Sequence, residues 1–260
     1  MRVAVDDAFI DVDDRGSGEP IVLLHGFPLT RAIWDRTAEI LSQRYRVISP
    51  DLRGMGASST PDGPYLMETM AGDIAAVLDA CGVQRAHIVG HSLGGFVAQA
   101  FARMYVERVA GLALVGSRLA ADDAQTAARR EMLAQRVEAE DSVDPAIAAF
   151  EARMFASESV ADRPGLVELY RTIARHNRPK GLAAVLRGMA QRAPSDDIAQ
   201  DLEMPILVFV GAHDAVLSIE EARATAGAFP HGRLAVAEHS GHMPMLEEPG
   251  TLIAALDAWA

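Results

Sequence analysis

Short runs of β-branched and other apolar residues alternate along this chain with longer stretches whose apolar residues recur every three or four positions. The alternation predicts buried strands separated by amphipathic helices, the pattern of a parallel sheet covered by helices. The expected strands are residues 21–26, 46–51, 86–91, 109–116, 205–212 and 233–239. Near the N-terminus, "RVAVDD" and "AFIDVDD" alternate apolar and polar residues more clearly and predict an antiparallel hairpin at the sheet edge.

One long interval, residues 118–194, breaks this rhythm because it contains no strand-like run and is rich in Ala, Arg, Glu and Met. Its fragments predict three or four helices, separated by the Pro and Gly signals in "VDPA", "DRPG" and "RPKG". A chain of 260 residues can form one large α/β domain with such an insertion. We therefore predict a core domain over 1–117 and 195–260, interrupted by a helical cap over 118–194.

Charge and cysteine content limit the partners and the compartment. The formal net charge is −12, with no local cluster of Lys and Arg, so the chain would repel a phosphate backbone and nucleic acid is not an expected partner. Cys81 is the only cysteine, which excludes an internal disulfide and fits a reducing compartment. The N-terminus carries acids where a signal peptide needs an apolar stretch, and no apolar segment is long enough to span a bilayer. We expect a cytoplasmic protein that does not bind membranes.

The stretch "GHSLGG", residues 90–95, lies between an expected strand and an expected helix and matches the pattern G-x-S-x-G. In that context the pattern indicates a nucleophile elbow, a sharp turn that exposes the hydroxyl of Ser92 above the sheet. Gly90 and Gly94 would relieve the crowding that such a strained turn creates. The alternative is an ordinary glycine-rich turn with a capping serine.

A serine hydroxyl needs a neighbouring base, and that base needs a third group to hold it in the right tautomer. Two later strand ends supply candidates, because Asp214 follows one expected strand and both His239 and His242 follow the next. The order Ser92, Asp214, His242 is the order of the triad in α/β-hydrolases.

Five ordered motifs, "LLHGFP", "DLRGMGAS", "VGHSLGG", "GAHD" and "HSGHMPMLEEP", resemble those of the α/β-hydrolase superfamily over nearly the whole chain. The closest resemblance is to the serine esterase and lactonase branch, and in particular to 3-oxoadipate enol-lactonases. The resemblance implies a mostly parallel, doubly wound sheet with helices on both faces and a helical cap inserted between the sixth and seventh strands of the sheet.

The resemblance also implies a role for each matching residue. Ser92 would be the nucleophile, His242 the general base and then acid, and Asp214 the residue that orients the imidazole. The backbone N–H groups of Phe27 and Leu93 would form the oxyanion hole.

Other conspicuous side chains near the motifs are expected to be structural. His25 is interpreted as a hydrogen-bonded packing residue, Trp34 as a core residue, and Arg53 as part of a structural turn that could border the pocket. His213 and His239 are interpreted as loop residues or outer neighbours of the triad.

The implied chemistry is hydrolysis of a carboxylic ester or lactone through an acyl-enzyme, with no metal or organic cofactor. Carbon–carbon bond hydrolases and cofactor-free haloperoxidases or perhydrolases keep the same triad and stay as alternatives, as does a slow-turnover small-molecule receptor. Enzymes of this fold with aspartate as nucleophile are disfavoured because the position is Ser92.

The substrate is left open between an enol-lactone, an acyl-homoserine-type lactone and a small ester, and the oligomeric state is left open too, a homo-oligomer included. The cap predicts a mostly apolar pocket. The candidate lining residues are Met132, Phe150, Met154, Phe155 and Met189.

Overall fold

The computed structural model describes residues 1–260, and its centre is one eight-stranded sheet. The strands are β1 (Arg2–Val5), β2 (Ala8–Gly16), β3 (Glu19–Leu24), β4 (Tyr45–Pro50), β5 (Ala86–His91), β6 (Val109–Val115), β7 (Ile206–Gly211) and β8 (Gly232–Ala237). Their order across the sheet is β1-β2-β4-β3-β5-β6-β7-β8. β2 pairs antiparallel with both of its neighbours, β1 and β4, and every other pair of neighbouring strands is parallel. The predicted α/β fold and its N-terminal hairpin are confirmed, with strand ends shifted by one or two residues.

Twelve α-helices accompany the sheet. They are α1 (Asp35–Leu41), α2 (Met67–Ala80), α3 (Leu93–Met104), α4 (Ala124–Ala139), α5 (Asp144–Glu151), α6 (Ser157–Asp162), α7 (Gly165–Ala174), α8 (Pro179–Ala190), α9 (Asp196–Ala199), α10 (Ile219–Gly227), α11 (Pro244–Glu247) and α12 (Pro249–Trp259). Short 3-10 helices cover Arg31–Trp34 and Val106–Arg108. None of these helices combines the length and the apolar character needed to cross a lipid bilayer.

The sheet is buried on both faces, which β3 shows most clearly. Val22 and Leu24 belong to one apolar cluster, whereas Ile21 and Leu23 belong to another, and all four side chains are fully buried. Successive residues of a strand point to opposite faces, so a strand covered on both faces is an uninterrupted apolar run. This is why the central strands could be located from the sequence.

The interval between β6 and β7 contains helices and no strand, as predicted, but the predicted number of helices is wrong. Five helices, α4 to α8, lie within residues 118–194, and the expectation was three or four. The missed α6 is six residues long with the sequence "SESVAD", which carries no apolar stripe. The division into core and cap domains stays a prediction.

Two glycines of α8 bring this helical segment close to the loops after β4. A Cβ atom at Gly181 would lie 1.9 Å from the carbonyl oxygen of Gly54, and one at Gly188 would lie 1.7 Å from that of Tyr65. Only glycine permits such close backbone approach. The helical segment therefore rests directly on the core above the ends of the strands.

Candidate active site

The turn at Ser92 has the strained geometry that G-x-S-x-G predicts. β5 ends at His91, α3 begins at Leu93, and Ser92 between them has φ 50° and ψ −110°. A Cβ atom at Gly90 would lie 2.3 Å from the carbonyl oxygen of Gly94, and one at Gly94 would lie 2.3 Å from that of Leu24. The side chain of Ser92 makes no capping hydrogen bond, which does not fit the alternative of a capping serine.

The backbone of Ser92 is fixed to the neighbouring strand. Its N–H donates to the carbonyl of Val115 at 2.9 Å, and the hydroxyl of Ser117 donates to its carbonyl oxygen at 3.0 Å. Both partners come from β6 or the loop that follows it, so the turn cannot relax without breaking bonds to the sheet. A strained serine conformation persists only where the surroundings hold it in this way.

The structure brings His242 and Asp214 together. His242 Nδ1 lies 2.8 Å from Asp214 Oδ2, and the two side chains are only 2% and 1% exposed. The other carboxylate oxygen of Asp214 accepts from the N–H groups of Val216 and Leu217 at 2.7 and 2.9 Å. Because Nδ1 bonds to the carboxylate, Nε2 is the ring nitrogen left to exchange a proton, and His242 and Ser92 line the same cavity.

The loop that carries His242 is organised by a buried carboxylate that the sequence reasoning missed. Glu247 is 4% exposed. Its Oε1 accepts from the N–H of Gly241 at 2.9 Å, the N–H of Met243 at 3.2 Å and the hydroxyl of Ser240 at 3.1 Å. Its Oε2 accepts from the N–H of Ala156 at 2.8 Å, in the helical segment. The one available signal was the position of this acid five residues after His242, inside the motif "HSGHMPMLEEP".

Two further histidines beneath the site are neutral structural groups. Burial lowers the pKa of His91 well below its ordinary value, and its Nε2 donates to the carbonyl oxygen of His242 at 2.9 Å. Burial also lowers the pKa of His25, whose Nε2 accepts from the N–H of Leu52 at 2.9 Å while Nδ1 donates to the carbonyl of Gly26 at 3.1 Å. The interpretation of His25 as a hydrogen-bonded packing residue is confirmed.

The two N–H groups expected to form an oxyanion hole are free of intramolecular acceptors. Phe27 follows directly after the His25–Gly26 pair, and its N–H makes no hydrogen bond. Leu93 is the first residue of α3, so its N–H has no partner within the helix and lies at the positive end of the helix dipole. Phe27 lines the same cavity as Ser92.

That cavity has a volume of about 460 Å³ and is lined by 19 residues. Three of the five predicted cap contacts, Phe150, Met154 and Met189, line it. The prediction is wrong for the other two. Met132 is 60% exposed on α4, and Phe155 instead packs edge-on against Tyr170, with ring centroids 6.2 Å apart. A single sequence does not show which face of each helix points into the cavity.

Ten of the 19 lining residues are hydrophobic, which agrees with the predicted mostly apolar pocket, but four arginines also contribute to the wall. They are Arg118, Arg129, Arg130 and Arg153. Asp122, an acid in the loop after β6, is paired with Arg118 at 3.3 Å and with Arg130. It therefore neutralises arginines and makes no contact with His242.

The remaining candidate side chains lie outside the cavity. His213 and His239 are exposed, Trp34 is fully buried in the core, and Arg53 is a buried guanidinium paired with Asp73 at 2.6 Å. The interpretations of Trp34 as core and of Arg53 as structural are confirmed. No group of three or more histidine, cysteine or acidic side chains is arranged to hold a metal ion.

Comparisons with known proteins identify relatives of this chain. Residues 19–249 match the model of the α/β-hydrolase fold family. A pimeloyl-acyl-carrier-protein methyl ester esterase from Chromobacterium violaceum is 32% identical over 253 residues, covering 94% of this chain and 95% of that protein. The 3-oxoadipate enol-lactonase 2 of Acinetobacter baylyi is 27% identical over 227 residues, covering 87% of this chain and 83% of that protein.

Among solved structures, a thermophilic esterase from Thermogutta terrifontis with malate bound has a TM-score of 0.96 and 34% identity, and the match covers 100% of this chain and 97% of that one. The relatives thus include esterases and a lactonase. The resemblance stated from the five motifs is confirmed, since the family match spans the elbow, the histidine loop and the helical segment between them. This chain belongs to the α/β-hydrolase fold family.

Proposed function

We propose that this protein is a serine hydrolase that cleaves carboxylic esters or lactones through an acyl-enzyme on Ser92. The observation that carries the proposal is the 2.8 Å bond between His242 Nδ1 and Asp214, in a cavity that also exposes Ser92. The esterases and the lactonase among the relatives support the same chemistry. Acyl transfer to water requires a nucleophile, a base and oxyanion donors, and the proposal assigns a residue to each.

In the first half of the proposed reaction, Ser92 Oγ attacks the substrate carbonyl while His242 Nε2 accepts its proton. Asp214 stabilises the imidazolium that forms. Negative charge moves onto the carbonyl oxygen, where the N–H groups of Phe27 and Leu93 stabilise it. His242 then donates its proton to the leaving alkoxide, which leaves an acyl group on Ser92.

In the second half, water attacks the acyl-enzyme while His242 Nε2 accepts a proton from it. The second tetrahedral intermediate collapses, the carboxylic acid leaves, and the proton returns to Ser92. A lactone follows the same steps, except that its alkoxide stays attached to the acyl group.

Labelling with a fluorophosphonate probe, followed by intact-protein mass spectrometry, tests the assignment of Ser92. The expected result is one adduct on the wild-type protein and none on Ser92→Ala. Ser157→Ala is the matched control, because Ser157 is exposed on α6 and does not line the cavity. Labelling that survives in Ser92→Ala would overturn the assignment.

Steady-state hydrolysis of p-nitrophenyl esters of increasing chain length, beside several lactones, tests the activity. We expect many turnovers per Ser92. A stoichiometric burst without further turnover would instead identify a slow small-molecule receptor, and hydrolysis abolished by a chelator would contradict the metal-free mechanism.

A further inference from the structure

The cavity around Ser92 has a charge opposite to that of the chain. The whole chain carries a formal net charge of −12, yet the residues that line the cavity include four arginines and no Asp or Glu. Two of these arginines, Arg118 and Arg130, form ion pairs with the same carboxylate, Asp122. The side chain of Asp122 is 2% exposed. One carboxylate does not neutralise two guanidinium groups, and it contacts neither of the other two.

Those other two, Arg129 on α4 and Arg153 after α5, form no ion pair. The side chain of Arg129 makes no hydrogen bond. The nearby carboxylate of Asp123 caps α4 instead, accepting from the N–H of Thr126 at 2.7 Å, and this bond, more than the field of Arg129, lowers the pKa of Asp123. Arg153 donates one hydrogen bond, at 3.3 Å to the carbonyl of Ala149. A guanidinium carries five N–H donors, so most of the donors of both groups have no partner in the protein.

Another cavity of the molecule provides an internal comparison. It has a similar volume, about 440 Å³, and is lined by Arg15 and Arg31 but also by three aspartates, Asp13, Asp35 and Asp51. Both arginines are paired there, Arg31 with Asp51 at 2.6 Å and Arg15 with Asp13. Surplus positive charge is therefore a property of the cavity at Ser92 and not of every cavity in this protein.

We propose that Arg129 and Arg153 bind a carboxylate at the end of the substrate remote from the scissile carbonyl. The preferred substrates are then esters or lactones whose acyl part carries a second, free carboxylate, such as monoesters of dicarboxylic acids. This inference rests on the proposed function, because it concerns the specificity of the same site.

Three features of the cavity suit such a substrate. Guanidinium groups match carboxylates with two parallel hydrogen bonds. Apolar residues such as Phe150, Leu133 and Met154 line the same cavity and can contact the methylene chain between the two functional groups. Both arginines are exposed and line the cavity, so they lie at its mouth, where a surplus of positive charge attracts an anionic substrate.

Monomethyl adipate and dimethyl adipate form a matched pair for the test, because they differ only in whether the remote end is a carboxylate or a neutral ester. With the wild-type enzyme at pH 7.5 we expect kcat/KM, corrected for the two equivalent esters of the neutral compound, to favour the monoester about tenfold, the size expected from one charge-assisted contact. Monoesters from succinate to suberate would identify the chain length that spans the cavity best. Added salt should reduce the preference, because the arginines are exposed.

Arg129→Gln, Arg153→Gln and the double variant should bring this ratio towards one, because they should lower kcat/KM for the monoester much more than kcat/KM for the neutral diester. Arg136→Gln is the matched control. Arg136 lies on the same helix, is exposed, pairs with Glu140 at 2.7 Å and does not line the cavity. The Arg136→Gln variant removes one positive charge from α4, as Arg129→Gln does. If it also lost the preference for the monoester, the preference would come from the general field of the helix and the proposed carboxylate site would be wrong.

Binding of adipate to Ser92→Ala, measured by calorimetry, keeps the inference testable if the proposed function fails. We expect binding that weakens about tenfold or more when Arg129→Gln and Arg153→Gln are added. If no ester is hydrolysed but adipate binds in this way, the proposed function fails and the carboxylate site stands. If neutral esters are hydrolysed with a ratio near one at every chain length, the carboxylate site is wrong and the hydrolase assignment stands.

Discussion

Replacing Glu247 by Gln should destabilise the protein and displace His242, although the two side chains have nearly the same shape. In the native protein one carboxylate accepts four hydrogen bonds, three at Oε1 and one at Oε2. A Gln side chain has one acceptor oxygen and one NH2 group. If its oxygen takes the position of Oε1, its NH2 faces the N–H of Ala156, and two donors meet in a buried site.

The cost follows from these contacts. At least one buried N–H loses its acceptor, and the remaining bonds lose their charge, which together amount to about 3 kcal/mol. For a chain of this length that corresponds to a fall in Tm of roughly 6–12 °C. Because Glu247 holds the N–H groups on both sides of His242, kcat for an ester should fall as well, while KM changes less.

Guanidinium-induced unfolding at 25 °C would measure the free energy of unfolding, and steady-state ester hydrolysis would measure kcat on the folded variant. Glu248→Gln is the control, because Glu248 is partly exposed and accepts one backbone bond, from the N–H of His239 at 2.8 Å. The control should lose less than about 1 kcal/mol. A Glu247→Gln variant within 0.5 kcal/mol of the wild type, on the scale of ordinary surface substitutions, would refute the reasoning.

Three other perturbations have defined outcomes. Asp214→Asn should fold normally, as judged by circular dichroism, and lower kcat for an ester by a factor on the order of 10⁴, because the imidazole loses its orienting acceptor; a loss under tenfold would contradict the triad assignment. Gly94→Ala should abolish ester hydrolysis, or prevent folding into a soluble protein, since its Cβ would lie 2.3 Å from the carbonyl oxygen of Leu24; a soluble variant with normal kcat would refute the elbow geometry. Burial lowers the pKa values of His25 and His91, so the unfolded chain binds more protons as the pH falls below about 6.5, and stability should fall with it. Measuring Tm from pH 7.5 to 5 checks this, and Tm should depend less steeply on pH in His25→Gln than in the wild type. Equal slopes in the two proteins would contradict the contribution of buried His25 to the pH dependence of stability.

Local features of the sequence were sufficient to predict much of the site. The elbow at Ser92 could be predicted because a strand, a strained residue and a helix follow one another without interruption, and because glycines at fixed offsets are required by backbone sterics alone. Asp214 and His242 could be proposed because the carboxyl ends of parallel strands meet at one edge of the sheet. The pairing distance of 2.8 Å required the folded chain.

The sequence by itself determined the α/β alternation, the family and the candidate triad, because each depends on periodicity within a segment or on residues at fixed spacing. Only the tertiary structure decided that Glu247 accepts hydrogen bonds both from its own loop and from Ala156, which is remote along the chain. It also decided that Met154 lines the cavity while Met132 faces solvent, and that Arg129 and Arg153 lie without ion pairs at the mouth of the cavity. Which face of a helix is covered depends on what packs against it, and whether a charge is neutralised depends on residues that are remote along the chain.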